Sequence, residues 1–320
     1  MQPRYQEPRP LPSIDGGTMP DAFRTAAGVA VVPCYNEGRN PIELAAALTA
    51  VPDLDVVFVD DGSEGESRDA LDALSRSDSR IRIVRNAARC GKVASLLNVL
   101  RTLDPAVERV LLLDCDIDVS ASALGAVLDE LGRVDLVVAN AVALPRPRTV
   151  WERGAIFSAR RHERLRAGAM ARYPALCSNG RLLGMTRRLV EAILRSNVPR
   201  HTEDAHFMLV CLAEGFSYSY RSDATLGYRA PDTLGDYLRQ SNRFSEGRSL
   251  LRARWPSAML ERYYDPKPFD LLSTFAAEGL HDPLGAAVFL LMLGAKSVQR
   301  RDARSQKGAW AVAASTKSLR

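Results

Sequence analysis

The 320-residue sequence predicts an α/β fold in which a mostly parallel, Rossmann-like sheet is flanked by helices and followed by a C-terminal helical extension. Short β-branched apolar segments alternate with amphipathic helical segments through the first half of the chain, which is typical of a parallel sheet. Polar residues follow the end of each apolar segment, where open α/β sheets place their ligand sites. The composition, 46% hydrophobic and 25% charged, excludes collagen-like, coiled-coil and wholly disordered chains.

Four apolar segments fit buried parallel strands, each followed by a turn and a helical segment. They are residues 28–32, 55–59, 81–84 and 110–113. The second half of the chain predicts a weaker strand and then three helices, at 136–141, 149–172, 203–214 and 234–254. Because the carboxyl ends of parallel strands meet at one edge of a sheet, the first four strands predict a single cleft.

Three regions are predicted along the chain. Residues 1–27 form a Pro-rich arm that lacks the apolar segment of a signal peptide, and we expect this arm to be disordered. Residues 28–265 form the α/β domain, and residues 266–320 form the helical extension with a basic tail. The longest apolar segment, 284–295, is shorter than the roughly 20 residues that span a bilayer. We expect this segment to be a core helix, with peripheral contact to an anionic membrane as the alternative.

The cysteines and the net charge narrow the class of protein. Five cysteines are scattered without a CxxC pair or a zinc-type cluster, which indicates a reducing, cytoplasmic location and neither a disulfide framework nor structural zinc. The net charge of +5 is too small to indicate a nucleic-acid partner. A small positive excess does suit an enzyme that handles anionic substrates.

Acidic residues follow two of the predicted strands. Asp114 and Asp116 stand at alternate positions after the fourth strand, and their oxygen ligands favour Mg²⁺ or Mn²⁺, which can neutralise a departing diphosphate. Asp60 and Asp61 follow the second strand, where a carboxylate can accept the imide N–H of uracil. The alternatives are a charged turn after the fourth strand and a plain Asp-Gly turn after the second.

Three further sites complete the candidate cleft. Lys92, beside a glycine at a predicted helix start, is suited to hold a phosphate, with a solvated surface lysine as the alternative. Glu203 and Asp204 lie in the first turn of a helix that Thr202 is predicted to cap, where an acid stays ionised and can act as a general base. Ordinary helix capping is the alternative for this pair.

One face of the last predicted helix of the α/β domain carries an amide, a guanidinium and an aromatic ring. Gln240, Arg243 and Phe244 are spaced i, i+3 and i+4 and therefore share this face. An arginine directed into the cleft would stabilise a departing diphosphate. The alternative is an amphipathic helix with a buried phenylalanine and a snorkelling arginine.

Six motifs, taken together and in order, resemble family 2 glycosyltransferases of the GT-A fold, in the branch that contains cellulose, chitin and hyaluronan synthases. The matching segments are VVPCYNEGRNP, VVFVDDGSEGES, CGKVASLLN, VLLLDCD, HTED and RQSNRF, between residue 28 and about residue 247. The resemblance implies a metal-dependent inverting transfer of a sugar from a nucleotide donor, expected to be a UDP-sugar. It leaves the acceptor open among glycans, lipid carriers, peptides and small metabolites.

The resemblance also implies roles for individual residues. The donor-binding set is Pro33, Tyr35, Asn36, Glu37, Asp60, Asp61, Lys92 and Asp114, in which Asp61 faces uracil and Asp114 the ribose. Asp116 would be the metal ligand. The catalytic set is Asp204 as the base, Glu203 beside the acceptor, and Gln240 and Arg243 over the acceptor and the diphosphate. Residues 178–180, Ser-Asn-Gly, fall where the family has a small-residue acceptor loop.

Two departures from this branch refine the prediction. The tryptophan of the family's QxxRW element is Phe244 here, which keeps a stacking surface but lacks the indole N–H. The exporting members carry several transmembrane helices, whereas none is predicted in this sequence, so that we expect non-processive transfer.

Two rival functions differ in what they require of the sequence. A nucleotidyltransferase typically needs a Gly-rich, basic first loop, and residues 33–39 contain one glycine. A non-catalytic protein that binds a sugar nucleotide or a membrane surface would not need Asp116, Asp204 and Arg243 together. Both rivals are therefore disfavoured.

Overall fold

The computed structural model describes residues 28–302, and the side chains of residues up to 299. The predicted arm at 1–27 and most of the basic tail lie outside the described residues. Eight strands form one sheet in the order β3-β2-β1-β4-β7-β6-β8-β5. The strands are β1 (Gly28–Cys34), β2 (Leu54–Asp60), β3 (Ile81–Arg85), β4 (Arg109–Leu113), β5 (Ile117–Val119), β6 (Leu136–Ala143), β7 (Leu182–Thr186) and β8 (Tyr218–Tyr228).

The predicted α/β class is confirmed, and the first four strands are parallel as expected. Strand β1 pairs in parallel with β2 and β4, and β2 pairs in parallel with β3. The rest of the sheet is mixed, because β7 runs antiparallel to β4 and β6, while β8 is parallel to β6 and antiparallel to β5. The C-terminal ends of β1, β2 and β4 therefore meet at one edge.

Twelve helices cover the sheet and extend beyond it within the described residues. They are α1 (Asn40–Thr49), α2 (Gly65–Leu74), α3 (Lys92–Thr102), α4 (Ala121–Glu130), α5 (Val150–Ala169), α6 (Pro174–Cys177), α7 (Arg187–Arg195), α8 (Glu203–Ala213), α9 (Leu234–Arg252), α10 (Ser257–Tyr263), α11 (Pro268–His281) and α12 (Pro283–Asp302). The three helices predicted in the second half are present as α5, α8 and α9, each ending up to three residues earlier than the sequence pattern indicated.

The sheet is buried on both faces, which explains the continuous apolar character of its central strands. Val29 and Val31 of β1 pack in one core with side chains of α3, α7 and α8. Ala30 and Val32 point to the other face and pack in a second core with side chains of α1, α2 and α4. Packing on both faces fixes the ends of the central strands, and with them the polar residues that follow β1, β2 and β4.

The C-terminal extension packs on the long helix α5. Val288, Phe289 and Met292 of α12 are buried in a third core that includes Phe157. The prediction of a core helix at 284–295 is thus confirmed for one face of α12, whereas Leu291 on the other face is 67% exposed. Among the helices of residues 28–302, none combines the length and apolar content needed to cross a bilayer.

Candidate active site

The edge where β1, β2 and β4 end gathers the predicted donor-binding residues. Cys34 at the end of β1 pairs with Asp60 at the end of β2, and the N–H of Asp61 donates to the carbonyl of Cys34 over 2.9 Å. Asp114 follows β4, and its N–H donates to the carbonyl of Arg181 over 3.0 Å. One predicted loop residue lies elsewhere: Pro33 belongs to β1, opposite Val59, because β2 continues far enough to pair with it.

The first loop after β1 is tied to the turn after β2. The N–H of Asn36 donates to Ser63 Oγ at 3.1 Å, and Asn36 Oδ1 accepts the N–H of Glu64 at 3.0 Å. The guanidinium of Arg89 lies 3.8 Å from the centre of the Tyr35 ring, a contact that sequence reasoning missed. Tyr35 and Asn36 are thereby fixed at the mouth of the predicted nucleobase pocket, with Glu37 next in the same loop.

Asp61 organises the loop that leads into α3. Its carboxylate accepts the backbone N–H groups of Cys90 and Gly91, each at 2.8 Å, and the side-chain amide of Asn86 at 2.9 Å. Asp60 does the same for its own turn, accepting the N–H of Ser63 at 2.7 Å. The uracil-binding role of Asp61 stays a prediction, and the structure adds that Asp61 fixes the start of the helix that carries Lys92.

Lys92 is the centre of the site. Its Nζ lies 2.6 Å from Asp114 Oδ1 and 2.7 Å from Glu203 Oε1, and 3.4 Å from the carbonyl oxygen of Gly180. Burial alone would lower the pKa of Lys92, but the two carboxylates outweigh it and raise that pKa. Lys92 therefore stays charged and joins α3, the end of β4 and α8.

Glu203 and Asp204 have opposite electrostatic environments although they are adjacent. For Glu203, the charge and hydrogen bond of Lys92 outweigh burial and lower the pKa of its carboxyl. For Asp204, burial and the negative charge of Glu203 raise the pKa to about 6. A carboxylate with a pKa near 6 is suited to act as a general base, because it is ionised at neutral pH and is more basic than an ordinary aspartate.

The residue before this pair corrects one prediction. Thr202 occupies the N-cap position of α8, but it has a φ of 59° and its side chain accepts no hydrogen bond from the helix. Its hydroxyl donates instead to the carbonyl of His201. A Cβ placed on Gly247 of α9 would lie 2.4 Å from Thr202 Cγ2, which shows how closely α9 crosses the start of α8.

Helix α9 places Arg243 toward these acids. Burial, followed by the charges of Arg243 and Arg200, lowers the pKa of His201 to about 4. The charge of Arg243 also contributes to the lowered pKa of Glu203. Phe244 is 55% exposed on the same helix, where its ring leaves an open stacking surface. Gln240 lies one turn earlier on α9.

The loop at 178–180 lies against the acids. Asn179 is held by a hydrogen bond from its side-chain amide to the carbonyl of Ala139 at 3.0 Å. A Cβ on Gly180 would stand 3.3 Å from both Glu203 Oε1 and Lys92 Nζ, and 3.6 Å from Asp204 Cβ. A side chain here would press on the ends of the Glu203 and Lys92 side chains, and this contact of Gly180 with the acids was not foreseen from the sequence.

Asp116 follows Asp114 by two residues in the short segment between β4 and β5. Among the described side chains, no group of three or more His, Cys, Asp or Glu residues is arranged to hold a metal unaided. Magnesium commonly binds through one or two carboxylates and the phosphates of its substrate, so oxygen donors at this edge suit a cation shared with a nucleotide. Burial and a hydrogen bond with Cys34 hold the pKa of Cys115 well above its usual value, which keeps the intervening thiol neutral.

The comparisons with known proteins agree with this geometry. The sequence matches the family described as "Glycosyltransferase like family 2" over residues 27–247. The chain therefore belongs to glycosyltransferase family 2, as the motifs predicted, while its place in the branch with the QxxRW element stays a prediction.

Two curated relatives carry the name N-acetylglucosaminyltransferase. The protein from Rhizobium sp. (strain N33) is 26% identical over 262 residues, covering 73% of this chain and 55% of the relative. The protein from Bradyrhizobium diazoefficiens is 27% identical over 269 residues, covering 77% of this chain and 53% of the relative. The chain thus spans about half the length of these relatives.

A solved structure supports the GT-A fold. The mannosyltransferase PcManGT from Pyrobaculum calidifontis, in complex with GDP-Man and Mn²⁺, superposes with a TM-score of 0.54 at 18% identity. The match covers 89% of this chain and 79% of the mannosyltransferase. At this identity the likeness is one of fold.

Proposed function

We propose that this chain is a metal-dependent, inverting glycosyltransferase that moves a sugar from a UDP-sugar to an acceptor hydroxyl. The observation that carries the proposal is the arrangement around Lys92. Asp114 after β4 and Glu203 at the start of α8 share this one cation, and Asp204 beside them has a pKa of about 6. A donor-side acid and a general base therefore meet at one edge of the sheet.

The donor is proposed from the residues at the ends of β1 and β2. Tyr35, Asn36 and Glu37 form one side of the expected nucleobase pocket, and Asp60 and Asp61 the other. The relatives named N-acetylglucosaminyltransferase make UDP-N-acetylglucosamine the first donor to test. The solved mannosyltransferase was crystallised with GDP-Man, so GDP-mannose is the matched alternative.

Asp204 acts as the base in the proposed reaction. It accepts the proton of the acceptor hydroxyl while that oxygen forms a bond to C1 of the donor sugar. The bond between C1 and the diphosphate oxygen breaks on the opposite face, and its electron pair leaves with the nucleoside diphosphate. A single displacement of this kind inverts the anomeric centre, so that an α-linked donor gives a β-linked product.

Other residues orient these groups and balance their charge. Lys92 pairs with Glu203 and lowers the pKa of its carboxyl, which leaves Asp204 as the carboxylate with the higher proton affinity. Arg243 faces the same acids from α9 and is proposed to meet the departing diphosphate. Gln240 is proposed to contact the acceptor from the same helix, next to the open ring of Phe244.

Asp116, with Asp114 beside it, is proposed to hold Mg²⁺ or Mn²⁺. A divalent cation bound there would neutralise negative charge on the leaving diphosphate.

The test is a transfer assay with the full chain. UDP-N-acetylglucosamine, UDP-glucose and GDP-mannose are each supplied with Mn²⁺ and a panel of sugar and lipid-linked acceptors, and the released nucleoside diphosphate is measured. Proton NMR of the product then gives the anomeric configuration, expected to be β for an α-linked donor. An α-linked product, or full activity in EDTA, would contradict the inverting or the metal-dependent part of the proposal. Release of pyrophosphate instead would favour nucleotidyl transfer.

A further inference from the structure

The inner face of α11 combines buried acids with Phe275, whose ring centre lies 5.4 Å from that of Phe157. Asp270 and Glu278 on this helix, and Asp282 directly after it, have side chains that are 10%, 3% and 10% exposed. Each acid pairs with an arginine on or just after α5. The N···O distances are 3.1 Å for Arg172 with Asp270, 2.6 Å for Arg164 with Glu278 and 2.7 Å for Arg153 with Asp282.

The outer face of α11 is apolar. Phe269, Leu272 and Leu280 are 76%, 68% and 84% exposed, and the exposed Ala276 lies between them. Spacings of three and four residues place all four side chains on one stripe of the helix. A helix at the surface of a water-soluble domain normally turns its apolar stripe toward the core, so a second, exposed apolar stripe is unusual.

Helix α12 extends the same surface. Leu284, Leu290 and Leu291 are 53%, 54% and 67% exposed, while the opposite face of the helix is buried against α5. We call residues 268–295, with these outward side chains, the α11–α12 apolar surface. The three Asp and Glu side chains in this range all point inward, and the range contains no Lys or Arg. The range therefore exposes no Asp, Glu, Lys or Arg side chain, and His281 is its exposed ionisable residue.

Positive charge follows this surface in the chain. Just before it, residues 261–267 carry Arg262 and Lys267 against Glu261 and Asp265, so they add no net charge. After it, the sequence from residue 300 onward carries six basic residues, Arg300, Arg301, Arg304, Lys307, Lys317 and Arg320, against one acid, Asp302. An apolar surface that is followed by a basic segment complements a bilayer that has an apolar interior and anionic headgroups. Two copies of the chain would instead bring like charges together.

We propose that the α11–α12 apolar surface docks the protein on an anionic lipid bilayer, with the leucines of both helices in the boundary between headgroups and acyl chains. The inward ion pairs with α5 hold the two helices in the orientation that presents these leucines. Helix α12 also contacts the catalytic helix α9, where Asn242 Nδ2 donates to Gln299 Oε1 at 3.1 Å. Docking therefore sets the orientation of the candidate active site relative to the membrane.

The test is cosedimentation of the full chain with unilamellar vesicles, without donor or acceptor. The wild-type protein is expected to bind vesicles that contain 30 mol% phosphatidylglycerol, and to bind pure phosphatidylcholine at least about tenfold more weakly. Replacing two leucines of the surface with glutamine, L280Q/L291Q, is expected to weaken binding by at least about tenfold. The control is Val150→Gln, which changes a side chain that is 51% exposed outside this surface.

Each outcome bears on the proposal. Binding that is lost in L280Q/L291Q and kept in V150Q supports it. No binding to anionic vesicles, or equal binding by all three proteins, overturns it. Concentration-dependent dimerisation in gel filtration that L280Q/L291Q abolishes, without vesicle binding, would assign the surface to a second copy instead. Melting curves of both variants, expected to match the wild type because the replaced side chains are exposed, confirm that the comparison is between folded proteins.

Discussion

Helices α8 and α11 both bury acidic side chains, but they differ in how many cations accompany them. At the start of α8, Glu203 shares Lys92 with Asp114, and Asp204 lies next to this pair without an ion pair to Lys92 among the described contacts. On α11, Asp270 and Glu278 each have an arginine of their own. Burial and the negative charge of Glu203 raise the pKa of Asp204 to about 6. The matched ion pairs on α11 fix that helix against α5.

The largest expected effect is at Asp204. Asp204→Asn keeps the size of the side chain but removes the proton acceptor, and we expect transfer to fall by about a thousandfold. Affinity for UDP with Mn²⁺, measured by calorimetry, should stay close to that of the wild type. Turnover at the wild-type rate would exclude Asp204 as the base.

The corresponding change on α11 should affect stability and not chemistry. Glu278→Gln removes the charge that Arg164 and Arg160 face, and we expect the free energy of unfolding to fall by about 1–2 kcal/mol. The loss is moderate because both arginines are more than a third exposed and regain water. Urea unfolding followed by circular dichroism measures it. If Glu278→Gln kept its stability but lowered kcat, the acids of α11 would not be purely structural and the contrast with α8 would fail.

A third change alters the packing around the α8 acids and leaves their charges in place. Gly247→Ala would put a methyl group 2.4 Å from Thr202 Cγ2, which forces α9 away from α8. We expect a loss of about 1–3 kcal/mol in stability and a lower kcat/KM, because Arg243 moves with the helix.

The matched control for this change is Gly168→Ala in α5, where an added Cβ meets nothing within 4 Å. We expect this helical substitution to be neutral or to stabilise the protein by about 0.5–1 kcal/mol. Equal effects at the two glycines would mean that the close crossing of α8 and α9 is unimportant.

The pH dependence gives the smallest effect and the sharpest contrast. The base must be ionised, so kcat/KM should rise with pH through an apparent pKa of about 6. Glu203→Gln removes a negative neighbour and should shift this rise in kcat/KM, the acidic limb of the pH profile, to lower pH. Lys92→Met removes a positive neighbour and should shift the same limb to higher pH. Asp282→Asn, which removes the acid paired with Arg153, should leave this limb at the same pH. A limb that stays at the same pH in both α8-site variants would rule out Asp204 as the titrating group.

The sequence predicted those parts of the fold that depend on local patterns. The alternation of β-branched strands and helices indicated the parallel strands β1 to β4, and the acids after them were placed correctly at one edge. The ion pair of Lys92 with Glu203 was not predictable, because these residues are far apart in the chain and meet only through the packing of α3 and α8. The cap by Thr202 was predicted from residue type, but the crossing of α9 gives that side chain other contacts.

The exposed apolar stripe of α11 shows a second limit of sequence analysis. Its pattern of leucines and acids identifies an amphipathic helix but does not indicate which face is buried. That choice depends on the arginines of α5, which lie more than a hundred residues earlier in the chain. The roles assigned to Asp61, Asp116, Gln240 and Arg243 remain predictions.

The backbone at Thr202 has a consequence for engineering the protein. A β-branched residue at a φ of 59° costs about 1–2 kcal/mol relative to a residue that adopts this conformation freely. Thr202→Gly should therefore raise the melting temperature by a few degrees, about 2–4 °C for each kcal/mol in a chain of this size. The same change loosens the segment directly before Glu203 and Asp204, so we expect a slower enzyme. Selection for thermal resistance alone would then favour glycine at position 202, and the more stable protein would have a lower turnover.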